Sequence, residues 1–262
     1  MHTATLPQPI DVAAEPAASY AATNHRMNGG QTVFGLVEML LKGPERLNAL
    51  LRERRQAADM ISRFLAVSLV SLCIFGAALG ILLWLAPLDA LPAFLKVHWA
   101  KQPYPSAVVL ATAYAAGFVL AAGVCLPSFF FYALLAGVRM TMLQVTAHIM
   151  RGMAATSLML VGILPIYVAI VLGAVVFRLD IEVIERAVWL GLLLPFVAGA
   201  WGLYSIYQGF LSLADTIDPS RFCNRMCFLK RLTLACTTCY AAVAPVMIYT
   251  LWSHLIAACV AA

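Results

Sequence analysis

The stretch that decides the fold runs from Phe34 to Leu85: FGLVEMLLKGPERLNALLRERRQAADMISRFLAVSLVSLCIFGAALGILLWL. Its first half is basic and follows a helical period. Phe34, Val37, Leu40 and Leu41 fall on one face, Gly43-Pro44 interrupts, and Leu47, Leu50 and Leu51 resume the stripe. Pro44 suits the first turn of a second short helix, where its missing N–H would have no intrahelical partner. Arg46, Arg52, Arg54 and Arg55 supply cations for phosphates or carboxylates, and Glu45 and Glu53 partly offset them. From Ile61 to Leu85 the chain is apolar apart from Arg63 near its start and Ser62, Ser68 and Ser71. That length suffices to cross a hydrocarbon core about 30 Å thick. A basic helix running straight into a span predicts an interfacial amphipathic element over 33–60, lying on the bilayer or packed on the protein's own cytoplasmic loops.

The remainder has the same character. Of the 262 residues 63% are hydrophobic and 11% charged, against about a quarter charged in an ordinary soluble domain. The predicted fold is an all-α, polytopic helical membrane bundle of about five transmembrane helices, preceded by the interfacial helix. The spans fall at about 61–85, 106–135, 153–177, 187–210 and 232–258, within a bundle of residues 61–262. Residues 1–32, rich in Ala, Pro, Thr and Asn, read as a disordered cytoplasmic tail. They lack the basic start and short apolar core of a secretory signal. Pro127, Pro165 and Pro245 predict kinks. In the stretch 127–151 the kinked second span leads into an amphipathic linker with Arg139, Gln144, His148 and Arg151, and a sixth span would fit only around Phe129 to Leu143.

Charge sets the orientation. Cations gather before the first span, at Arg139 and Arg151, and at Arg221, Arg225, Lys230 and Arg231. The alternate loops hold Lys96, Lys101, Arg178 and Arg186, the last two beside Asp180, Glu182 and Glu185. The positive-inside rule then puts the N-terminus in the cytoplasm and the C-terminus outside. The net charge of +5 clusters beside spans, so the predicted partners are the lipid bilayer and other membrane or cytoplasmic proteins, with no nucleic acid.

Few residues carry chemistry. Gly76 and Gly80 have GxxxG spacing, which lets a second helix approach closely; packing within the chain is favoured over a homo-oligomer. No Asp, Glu, Lys or Arg falls inside the five predicted cores once Arg63 is placed at an edge, which argues against a carboxylate-coupled transporter. Tyr204, Ser205, Tyr207 and Gln208 form a polar strip that can bond another helix or line a passive pore. Cys223, Cys227, Cys236 and Cys239 lie within 17 residues and could in principle hold zinc. Their CxxxC and CxxC spacing is not a family-grade zinc signature, palmitoylation is another reading, and apolar packing is favoured. The seven cysteines, an odd number without a signal peptide, read as mostly reduced. The five histidines form no close ligand pair, and no nucleophile elbow, phosphate loop or dinucleotide glycine pattern occurs. No catalytic residue, cofactor or metal is predicted.

LLKGPERLNALL ahead of the first span, five apolar spans, Pro127 in the second with aromatics after it, and the very short outer C-terminus resemble the Yip family of multipass membrane proteins, in particular its bacterial branch. The resemblance covers about Phe34 to the C-terminus. It implies a cytoplasmic N-terminal region, a non-enzymatic helical bundle and a role in organising membranes or partner proteins. The predicted function is a membrane-organising or partner-binding scaffold or complex subunit in a bacterial inner membrane. A small passive pore or transporter is the alternative, and a cysteine-ligated metal protein the third reading.

Overall fold

A computed structural model of the chain describes residues 33–42, 47, 51, 54–93, 95, 96, 106–135, 141–214 and 222–261. Among the described residues there are long helices and no strand: α1 (Val33–Lys42), α2 (Arg54–Leu85), a 3-10 turn (Leu88–Ala90), α3 (Ser106–Leu135), α4 (Met142–Val176), α5 (Ile181–Ala214) and α6 (Phe222–Ala261). Helices α2 to α6 are each long and apolar enough to cross a membrane, the architecture of a multi-pass helical bundle. At 35 residues α4 alone is about 52 Å long. Pro127, Pro165, Pro195 and Pro245 all lie inside helices that continue past them. Membrane helices tolerate this because neighbouring helices and hydroxyl side chains take up the freed backbone groups.

Two compact units result, Met1–Pro44 and Glu45–Ala262. In the first, α1 carries an exposed ion pair between Lys42 Nζ and Glu38 Oε1 at 3.3 Å. Such a pair one turn apart stabilises a helix by about 0.2–0.5 kcal/mol. The second unit begins well before the first span: Leu47, Leu51, Ala57 and Met60 are all buried. A boundary at 60/61 therefore cuts through α2. Residues 1–32, with the tail predicted there, and Arg46 and Arg52 lie outside the described residues; Arg54 and Arg55 open α2, their side chains also outside.

Within the second unit, helix packing follows an order different from the chain. The extensive interfaces are α2 with α4, α4 with α5, α2 with α3, and α3 with α6; α3 touches α4, and α5 touches α6, only slightly. The helices thus stand in the sequence α5–α4–α2–α3–α6, with α2 central. Leu79 of α2, Tyr167 of α4 and Gly191 of α5 meet at one junction, and the 3-10 turn after α2 leans on α5.

The helix ends explain two features that apolar runs alone do not reveal. Helix α4 starts at Met142, not at Met153, because Thr141 and Gln144 form a capping box: the Gln144 N–H donates to Thr141 Oγ1 at 3.4 Å, and the Thr141 N–H donates to Gln144 Oε1 at 3.0 Å. The segment expected as an amphipathic linker up to Arg151 therefore splits between the end of α3 and the first turns of α4; residues 136–140 are outside the described set. At its other end α4 closes in a Schellman motif. The Leu179 N–H donates to the Ala174 carbonyl at 3.0 Å and the Arg178 N–H to the Val175 carbonyl at 3.2 Å. Arg178 occupies the left-handed position of that motif, with φ of 50°, where glycine is usual. The chain turns at once into α5, whose Val183 and Ile184 N–H groups donate to the Asp180 carbonyl.

Candidate functional site: a buried arginine and two close helix seams

Between α4 and α5 the backbones approach closely. A methyl group placed on Gly202 would fall on the Thr156 hydroxyl, one on Gly152 on the Ile206 side chain, and one on Gly209 on the His148 ring. The pairs run in opposite directions along the two helices, as an antiparallel hairpin requires. Since lipid tails are as apolar as leucine, such helices associate by dispersion and close backbone approach, which small residues permit. The sequence carries this signal as small residues along α5, at Gly191, Ala198, Gly202 and Gly209, all of them buried. No GxxxG pair marks it.

This seam holds the polar interior. His148 and Arg151 are each 2% exposed, and Thr156 and Ser157 on the same helix are buried, as are Ser68 and Ser71 on α2. Three of the hydroxyls are satisfied locally: Ser68 Oγ donates to the Phe64 carbonyl at 2.7 Å, Thr156 Oγ1 to the Gly152 carbonyl at 3.0 Å and Ser157 Oγ to the Ala154 carbonyl at 3.0 Å. They close on their own helices. Arg151 corrects the expectation of charge-free cores. It lies inside a helix able to span and is covered by protein, as charged side chains within spans usually are.

A second seam joins α2, α3 and α6. A methyl on Gly76 would meet the Ala111 Cα at 2.8 Å, so Gly76 is where α3 crosses α2. Gly80 is also buried on α2. Phe75 meets Tyr114 edge-on at a centroid distance of 5.5 Å, Tyr114 stacks near Phe118 at 6.4 Å, and Phe118 faces Tyr240 of α6 at 6.3 Å. The Tyr240 hydroxyl donates to the Phe118 carbonyl at 3.4 Å. On the same face of α3, a methyl on Gly117 would lie 3.0 Å from the Ile248 Cα.

The other predicted residues are scattered. Gln208 Nε2 donates to the Tyr204 hydroxyl at 2.8 Å, and Trp201 packs beside Tyr204 at 6.1 Å. Tyr204 is exposed and Ser205, Tyr207 and Gln208 are half-buried, so this strip looks outward from α5 and does not line the interior of one chain. Of the cysteine quartet only Cys239 has a described side chain; it is exposed at the α3–α6 seam beside Cys125. Cys223, Cys227 and Cys236 contribute backbone to α6, with side chains outside the described set. Among the described residues no three His, Cys, Asp or Glu side chains gather as a metal site would require.

No protein-family model matches the chain, and no curated protein or solved structure does either. Function has to be argued from the helices themselves.

Proposed function

We propose that the chain is a non-catalytic multi-pass membrane scaffold that holds a partner membrane protein against the outward face of α6. One observation carries this reading. Among the described residues, helix α6 packs on α3 and hardly elsewhere, and only 17% of its most apolar window is buried, against 50% for α2 and α3. The uncovered face is not uniformly apolar: Thr238, Thr250 and His254 are exposed on it together with Val246 and Tyr249. Ionisable side chains within spans usually face protein or water, and hydroxyl and small residues suit helix–helix contact. A second transmembrane helix satisfies such a face better than lipid tails do.

The Yip resemblance supports the same class of role and adds a cytoplasmic N-terminal region. The arginines before the first span, Arg46, Arg52, Arg54 and Arg55, belong to an amphipathic segment that lies on the inner leaflet or on a cytoplasmic partner. The excess of cations in the segments on the N-terminal side of the membrane favours the N-terminus inside and the C-terminus outside, and the resemblance favours a bacterial inner membrane.

Native mass spectrometry of the protein, extracted from its own membrane in mild detergent, tests the reading. A second polypeptide should be retained at fixed stoichiometry and be lost from an Ala242→Phe/Val246→Phe variant that inserts normally. A preparation holding only this chain and lipid overturns it.

A further inference from the structure

We infer that Cys125 of α3 and Cys239 of α6 are a disulfide-forming pair that fastens α6 to α3 when a low-molecular-weight disulfide reaches it. Cys125 of α3 and Cys239 of α6 lie close enough to interact across the seam, and Tyr240, the residue after Cys239, packs against Phe118 of α3 with ring centroids 6.3 Å apart. Register supports the pairing independently. Gly117, Ala121 and Cys125 recur every four residues along α3, and with Gly117 against Ile248 an antiparallel register sets Cys125 opposite Cys239 and Tyr240. Where Gly117 meets Ile248 the backbones are nearly in contact, and where Phe118 meets Tyr240 a hydrogen bond ties side chain to main chain. A disulfide needs Cα atoms within about 7 Å, a separation that helices sustain only where small residues line the seam, as Gly117 and Ala121 do here.

The two thiols differ in access. Cys239 is exposed and Cys125 buried. In the first step the Cys239 sulfur, as thiolate, attacks one sulfur of the reagent RSSR, forming a mixed disulfide and expelling RS⁻. In the second the Cys125 thiolate displaces the remaining RS⁻ from Cys239. Two protein thiols and one RSSR become one protein disulfide and two RSH, the thiol protons ending on the two leaving groups. Because α6 is fastened chiefly through α3, the bond fixes a helix at one end of the row. Any effect on partner binding rests on the function proposed above; the thiol chemistry does not.

The test treats the full chain in lipid nanodiscs with 2,2′-dithiodipyridine, followed by quenching, proteolysis and peptide mapping. The expected result is a cross-linked Cys125–Cys239 peptide from the unaltered chain. In Cys125→Ser the thiopyridyl adduct should instead persist on Cys239, because the second step has lost its nucleophile. The inference is overturned if the unaltered chain keeps the adduct on Cys239 with Cys125 still free, the same outcome as the serine variant. It is equally overturned if Cys239 pairs with Cys236 in preference to Cys125. Partner retention is read separately, by native mass spectrometry of the cross-linked chain, so failure of the scaffold reading leaves the disulfide result standing.

Discussion

Gly202 stands where α4 and α5 are closest, and any side chain there competes with Thr156 for the same space. Gly202→Ile should destabilise the bundle by about 1–3 kcal/mol, the usual cost of overpacking, read from unfolding in detergent across a denaturant series. Ala at the half-buried Gly199 of the same helix, which has open space around it, serves as the neutral control. Arg151 makes a different case, because its surroundings engage it and it is almost completely buried. Arg151→Ala removes a large, almost fully buried side chain and should cost about 2–5 kcal/mol in the same denaturant series, the usual range for large-to-small changes in a core. Arg151→Lys keeps the charge but lacks the planar guanidinium fork, so it should recover only part of that loss. Full stability in the alanine variant would mean that the helices close over the space Arg151 leaves.

At the scale of elements, the five spanning helices are legible because each is an apolar run long enough to cross a bilayer, and no soluble fold places so many in 262 residues. Helix ends are less so. An apolar run marks where a helix is lipid-compatible, not where its hydrogen bonding starts. The run beginning at Met153 therefore understates α4, although Thr141-x-x-Gln144 already carries a capping-box pattern in the sequence. That shift places His148 and Arg151 inside the helix and its core. Thr141→Ala should cost about 1 kcal/mol of stability and loosen amide protection in the first turns of α4, measured by hydrogen exchange. Unchanged protection would mean that packing on α5 alone holds the helix start.

The α4–α5 seam is only half legible: small residues recur along α5, but their partners are not named by the sequence. Its glycines contact Ile206, Thr156 and His148 on the partner helix, and a single sequence does not state which helices are neighbours. The GxxxG pair is visible as a spacing, and Gly76 does lie at the crossing with α3. Burial along α5 also changes the meaning of its polar strip. Gln208 and Tyr204 bond to each other on an outward face, so a pore using them requires several chains around the channel.

For the whole molecule, the packing order α5–α4–α2–α3–α6 puts the last helix at an end of the row. The scaffold account follows from that position together with the polar residues on the uncovered face of α6. It carries an orientation with it: a reporter active only outside the cytoplasm should be active when fused after Ala262 and silent when fused before Met1, and the reverse pattern would invert the topology. The most direct measurement of the central claim places a photo-crosslinking amino acid at Val246 on α6 and, for comparison, at Val108 on α3, both exposed, and irradiates native membranes. The account predicts a discrete protein adduct from Val246 and only lipid adducts from Val108. Lipid adducts alone from both positions would contradict it.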